Sequence, residues 1–262
     1  MSDLDRNYTS PFGRVAGRTD AAAVDAGLRA YMLRIYNYMV LGLAITGLAA
    51  LGIYMLSVTT DPALAVGKVR NIMLTQVGYT LFVSPVKWVV ILAPLALVFF
   101  LSFRIQNMRP ATAQITFWIY AALVGVSLAS IFLIYTHTSI TRVFFITAAS
   151  FGALSLWGYT TNRDLTGMGS FLIMGLFGII IASLVNIFLV SSMMQWIISV
   201  VGVLVFAGLT AYDTQRLKSE YIYGAMDGEV MERSAIMGAL SLYLDFLNLF
   251  TMLLQLMGSR DE

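Results

Sequence analysis

The chain has 262 residues, 59% of them hydrophobic and only 11% charged, and its mean hydropathy is +0.81. A soluble domain averages roughly 45–50% apolar and about 25% charged, so a water-soluble globular enzyme is excluded, because a sphere of this size cannot hide so much apolar side chain; a disordered chain is excluded by the same hydrophobicity. A net charge of +2, from 16 basic and 14 acidic residues, leaves no footprint for nucleic acid, the absence of cysteine removes disulfides and thiolate chemistry, and the single histidine, His137, cannot build a histidine metal cluster.

Residues 1–33 are polar, carry Arg6, Arg14, Arg18 and Arg29, and lack the short apolar core of a secretory signal. They read as a flexible cytoplasmic tail, followed by a transmembrane domain over 34–258 and a short C-terminal tail, 259–262. A spanning helix needs about 20 mostly apolar residues. Ile35–Thr60 is free of charge and predicts a first span over roughly 35–57. A long connection follows, with Asp61, Lys68, Arg70 and Lys87, and then a second span, Trp88–Phe103, closed by Arg104. Arg109-Pro110 marks a turn, since proline disfavours helix in the residue before it. The third span is expected over roughly 112–135 and the fourth over Val143–Asn162. Leu165–Tyr212 runs 48 residues without a charge, too long for one crossing, and is divided near Ser191-Ser192-Met193-Met194-Gln195 into a fifth and a sixth span. Ser234–Ser259 is the seventh. Strands of a membrane barrel alternate polar and apolar residues in short segments; these runs are continuous and longer, so the chain is predicted to be an all-α membrane protein of seven helices.

Cytoplasmic loops of membrane proteins are enriched in Lys and Arg. With the N-terminus inside, the inner segments hold 11 basic residues and the outer segments 5 (Lys68, Arg70, Lys87, Arg142 and Arg260), which predicts N-in and, with seven spans, C-out. Gly42 with Thr46, and Gly175 with Gly178, Ser183 and Asn186, read as small or polar packing positions between helices.

An ionisable residue inside a span is the default functional candidate in a membrane protein. Asp245 is the one charge deep in any span, and insertion of a charged aspartate there costs about 2.5–3.5 kcal/mol. It needs a partner, water or a proton. Ser241, Asp245, Asn248, Met252 and Gln255 fall on one face of its helix, and only Met252 is apolar. Such a stripe must face protein or water. Interhelical hydrogen bonding suffices for Asn248 and Gln255, whereas that task does not need a carboxylate, so Asp245 is read as functional. Asp213 ends the sixth span, with Arg216 three residues on along its face; alone it reads as an interfacial carboxylate paired with Arg216. Arg104, Arg109, Arg163 and Lys218 read as anchors at the headgroups, and His137 as an interfacial side chain.

The segments Leu209-Thr-Ala-Tyr-Asp213-Thr-Gln and Leu240-Ser-Leu-Tyr-Leu-Asp245-Phe-Leu-Asn-Leu-Phe250 resemble the closing signature of the Bax inhibitor-1 (transmembrane Bax inhibitor motif) family, and Gly178 through Asn186-Ile-Phe188 is similar to that family's fifth helix. The resemblance covers about Leu33 to Gly258 and is that of a bacterial member, with a longer polar N-terminus and a longer first loop as departures. It implies six helices around a central C-terminal one, in the bacterial inner membrane. It implies a pH-sensitive calcium leak channel in which two aspartates, matching Asp213 and Asp245, share a proton and hold the pore closed. It implies an arginine at the end of the second helix facing the first aspartate, for which Arg104 is the match, while the acidic residue that some members carry earlier in that helix is absent here. Physics supports such a pair: two carboxylates in contact cannot both ionise cheaply, and they titrate as one unit.

The expected function is therefore a pH-gated cation leak with calcium as the permeant ion. Asp213 and Asp245 form the gating pair and, once apart, transient calcium contacts; Arg104 or Arg216 is the counter-charge. No firm metal site and no cofactor are expected. The resemblance also implies an alternative, a non-transporting modulator of a membrane partner such as a membrane-anchored AAA+ protease, with the arginine-rich tail as its handle. A retinal protein is excluded because Lys68, Lys87 and Lys218 all lie outside the spans, and no HExxH or GxSxG motif suggests a hydrolase.

Overall fold

The structure, a computed structural model, describes residues 11–223 and 228–260. Seven of its helices are long and apolar enough to cross a membrane. The first, α1 (Pro11–Ser57), begins well before the expected boundary: Leu28, Tyr31, Met32 and Ile35 are buried in the core, so the transmembrane packing reaches back into the segment read as tail. The remainder of that expected tail, residues 1–10, lies outside the described residues.

The connection after α1 contains structure that charge and hydropathy do not announce. Strands β1 (Val58–Thr59), β2 (Gly67–Val69) and β3 (Ile72–Leu74) form an antiparallel sheet in the order β1-β3-β2. Runs of two or three residues are too short to show a period of two, which is why the sequence reads there as loop. A short helix follows, α2 (Gln76–Phe82), opened by Thr75, whose hydroxyl accepts from the Gly78 N–H.

The second span is α3 (Val86–Arg104) with a 3-10 turn to Asn107, and the third is α4 (Pro110–Leu128) with a 3-10 extension to Leu133. Arg109 is extended before Pro110, as the dipeptide requires. Next come α5 (His137–Thr160) and α6 (Thr166–Leu189). Ahead of α6, Asp164 Oδ1 accepts from both the N–H and the hydroxyl of Thr166, at 2.9 and 2.6 Å, and the hydroxyl bond above all holds this exposed carboxyl below the usual aspartate range. Only Val190 and Ser191 separate α6 from α7 (Ser192–Tyr223), at the break expected in the long uncharged run. The last span is α8 (Gly228–Met257).

The β-sheet marks one face of the bundle. The chain end lies there too: Thr136, just ahead of α5, donates its N–H to the Ser259 carbonyl, and Tyr135 bridges Arg260. Helix α1 starts at the opposite face, so an odd number of crossings separates the two ends. More of α8 is buried than of any other span, and it packs on α1, α4, α5 and α7. Its core face includes Ile236, Leu240, Tyr243 and Leu249. The Thr46 hydroxyl joins three helices, donating to the Ala121 carbonyl of α4 at 2.9 Å and lying 2.6 Å from the Tyr243 hydroxyl of α8. Gly42 lies under the Phe117 ring, as a packing glycine should, and Gly175 faces Val205. Gly178 has nothing within 4 Å of the position a Cβ would take, so no close helix approach uses it.

Candidate functional site

Helices α7 and α8 are neighbours, and that places Asp213 beside Asp245. The two residues are only 8 and 5% exposed; they border the same cavity, and their carboxyl groups interact directly. Asp245 Oδ2 is buried and no protein N–H or hydroxyl donates to it among the described residues. Two ionised carboxylates offer acceptors only. A hydrogen bond between them therefore requires a proton on one.

Asp245 is remote from both ends of its helix. It lies 17 residues from Gly228 and 12 from Met257, roughly 26 and 18 Å at 1.5 Å per residue. Glu229, Glu232 and Arg233 hide the first turns of α8 from a search for uncharged runs, so the helix is longer ahead of Asp245 than the sequence suggests.

Arg216 organises the surroundings. Its Nη2 lies 3.3 Å from Asp213 Oδ1 and 3.3 Å from Ser241 Oγ, so one guanidinium reaches across from α7 to α8. Its Nε faces Glu220 Oε1 at 3.5 Å, and its plane lies near the Tyr212 ring. Arg104 is exposed at the end of α3, and no ion pair joins it to Asp213 among the described residues. The counter-charge beside Asp213 is thus three residues along the same helix. Glu220 went unread in the sequence, although its spacing of four from Arg216 is the signal that finds it.

Two cavities meet at this arginine. One, of about 230 Å³, is bordered by Asp213, Asp245, Asn248 and Tyr212. The other, of about 310 Å³, opens towards the face where α1 begins and is bordered by Gln106, Glu220 and Ser234. Arg216 and Ser241 line both. The guanidinium and its serine partner form the wall between them.

The rest of the polar stripe has other partners. Asn248 bonds back to the Leu244 carbonyl of its own helix. Gln255 accepts from Gln195 Nε2 at 2.6 Å and from the Ser199 hydroxyl at 2.8 Å, and Gln195 in turn accepts from Asn186 Nδ2 at 3.2 Å. This second cluster ties α6, α7 and α8 together near the sheet face. His137 lies edge-on to Tyr54 at the same face. Among the described residues, no group of three or more His, Asp or Glu side chains is arranged to hold a metal ion.

A family profile described as "Inhibitor of apoptosis-promoting Bax1" matches residues 28–262. The chain belongs to the Bax inhibitor-1 family. The match starts at Leu28, the first residue of α1 described as buried in the core, and takes in all seven spans. Among similar proteins, an uncharacterised protein of Caulobacter vibrioides is 44% identical over the whole of both chains. An uncharacterised protein of Rickettsia prowazekii is 48% identical over 80% of this chain and 90% of its own length. The inner membrane protein YbhL of Escherichia coli is 51% identical over 65% of this chain and 73% of its own. This Bax inhibitor-1 family member is accordingly a multi-pass membrane protein.

Proposed function

We propose that this protein is a pH-sensitive cation leak of the bacterial inner membrane, with calcium as the permeant ion and the Asp213–Asp245 pair as its gate. The reading rests on one observation: two buried carboxyl groups on adjacent helices face each other at one small cavity, an arrangement that a shared proton makes favourable. With the proton in place, the pair ties α7 to α8, and Arg216 adds a second tie through Asp213 and Ser241. When the proton leaves, two like charges face each other in a poorly hydrated site and drive the helices apart. Arg216 then follows Asp213, and the wall between the two cavities opens. Separated carboxylates and the Asn248 amide oxygen are hard ligands of the kind calcium takes. The excess of basic residues on the α1-start side supports a cytoplasmic N-terminus, so the Arg216 cavity opens to the cytoplasm. The exposed Arg104 end of α3 is free to supply a further counter-charge once the pair separates.

The test is calcium flux into proteoliposomes as a function of pH. Flux through the wild type rises as pH rises, because deprotonation opens the pair. Asp245→Asn, which keeps a hydrogen bond to Asp213 without a titrating proton, holds flux at its low-pH level across the range. An unchanged pH response in that variant rejects the gate. Absence of flux at every pH favours the modulator of a membrane partner instead.

A further inference from the structure

Between α1 and α5 the bundle is not closed. Both helices pack on α8, yet they scarcely touch each other. Three cavities, of about 600, 690 and 380 Å³, follow one another along the gap. Met39 and Phe151 border the first and second, and Phe144 and Phe246 border the second and third, so the three form one trough. Along α1 it extends from Arg29 to Leu51, about 33 Å at 1.5 Å per residue and close to the roughly 30 Å of a bilayer's hydrocarbon core. Its rims carry the exposed Leu33, Leu48 and Leu156, so it opens sideways, towards lipid.

Two glycines in the walls, Gly47 and Gly152, have nothing within 4 Å of the position a Cβ would take. No helix contact requires them. Their effect is to keep the trough wide.

The basic side chains lie at one end, whereas Thr46, His137 and Thr141 line the other. Arg29 lines the basic end and makes no ion pair among the described residues; Asp25, one turn earlier on α1, does not pair with it. The hydroxyls of Tyr36 and Ser155 lie 2.5 Å apart beside it. Lys218 donates to the Tyr159 carbonyl at 2.9 Å and sits over that residue's ring, which borders the same end. An ammonium has three donors, so two remain for another acceptor.

We propose that the trough binds one anionic phospholipid from the leaflet on the side where α1 begins. Its phosphate lies against Arg29 and Lys218, and its acyl chain runs down past Met39 and Phe151. Lipid is the occupant because the trough opens sideways at membrane depth; anionic lipid is favoured because Arg29 lines one end and Lys218 lies beside Tyr159 of the same wall, and basic pockets between transmembrane helices suit acidic headgroups. The site is separate from the aspartate pair, and its test does not depend on flux.

Native mass spectrometry of the intact protein in detergent, titrated with phosphatidylglycerol or with phosphatidylethanolamine of the same chains, reads the site. Phosphatidylglycerol binds as a single saturable adduct, and Arg29→Gln weakens it about fivefold, the effect of one basic side chain at a lipid surface, while leaving phosphatidylethanolamine unchanged. Gly152→Phe fills the trough and weakens both lipids without lowering the melting temperature; Gly47→Phe does the same further along. Equal binding of the two lipids, a silent Arg29→Gln, or an adduct that survives both phenylalanine variants overturns the proposal.

Discussion

Val190 carries the sharpest local conflict among the described residues. It sits in the left-handed region, at φ 49° and ψ 37°, with a β-branched side chain that this region disfavours. The two-residue link between α6 and α7 imposes it, and Asn186 stabilises the turn by accepting the Ser191 N–H at 3.0 Å. Glycine adopts that conformation without the Cβ clash. Val190→Gly is therefore expected to raise the melting temperature in detergent, corresponding to about 1 kcal/mol; a lowered one would show that the valine side chain contributes more than its backbone costs. Asp245 stands at the same scale but was plain in the sequence, because a lone carboxylate in an uncharged run costs too much to be incidental. Arg216 was legible only as a neighbour of Asp213. Its reach to Ser241 depends on how α7 and α8 are rotated against each other, and nothing in the spacing along one helix contains that.

Helix α7 is held from behind by α5, and this sets where Asp213 points. A Cβ on Gly158 would collide with the Ala211 backbone, the Ser155 and Thr214 hydroxyls are 2.9 Å apart, and Lys218 reaches the Tyr159 carbonyl. The contacts flank Asp213 on both sides. Gly158→Val is expected to force the two helices apart and to cost about 3 kcal/mol of stability by overpacking, seen as a lowered melting temperature; an unchanged one would mean that α5 yields without strain. Spans as elements were readable because each is a run bounded by charges or turn residues, free of charge except for Asp245 in the seventh. The three short strands were not, because the sheet is defined by pairing between segments rather than by a pattern within any one of them.

Across the whole molecule, seven crossings put the start of α1 and the end of α8 on opposite faces, and the excess of Lys and Arg on the first face predicts that it is cytoplasmic. The chain has no cysteine, so introduced thiols report on a silent background. Ala63→Cys, exposed in the connection between β1 and β2, is expected to react with a membrane-impermeant maleimide on intact cells. Asn162→Cys, exposed between α5 and α6, is expected to react only after permeabilisation, and the reverse pattern would invert the orientation. By itself the sequence determined the membrane class, the number of crossings and the depth of Asp245, because each follows from the cost of placing charge in hydrocarbon, a property of one segment at a time. Tertiary structure alone decided that Arg216 reaches both Asp213 and Ser241, that Arg104 stays at the periphery, that α1 begins far upstream, and that a trough remains between α1 and α5. Those are matters of which helix faces meet, and helices in lipid choose their faces by close packing and hydrogen bonds rather than by hydrophobicity, the signal that a linear sequence displays most clearly.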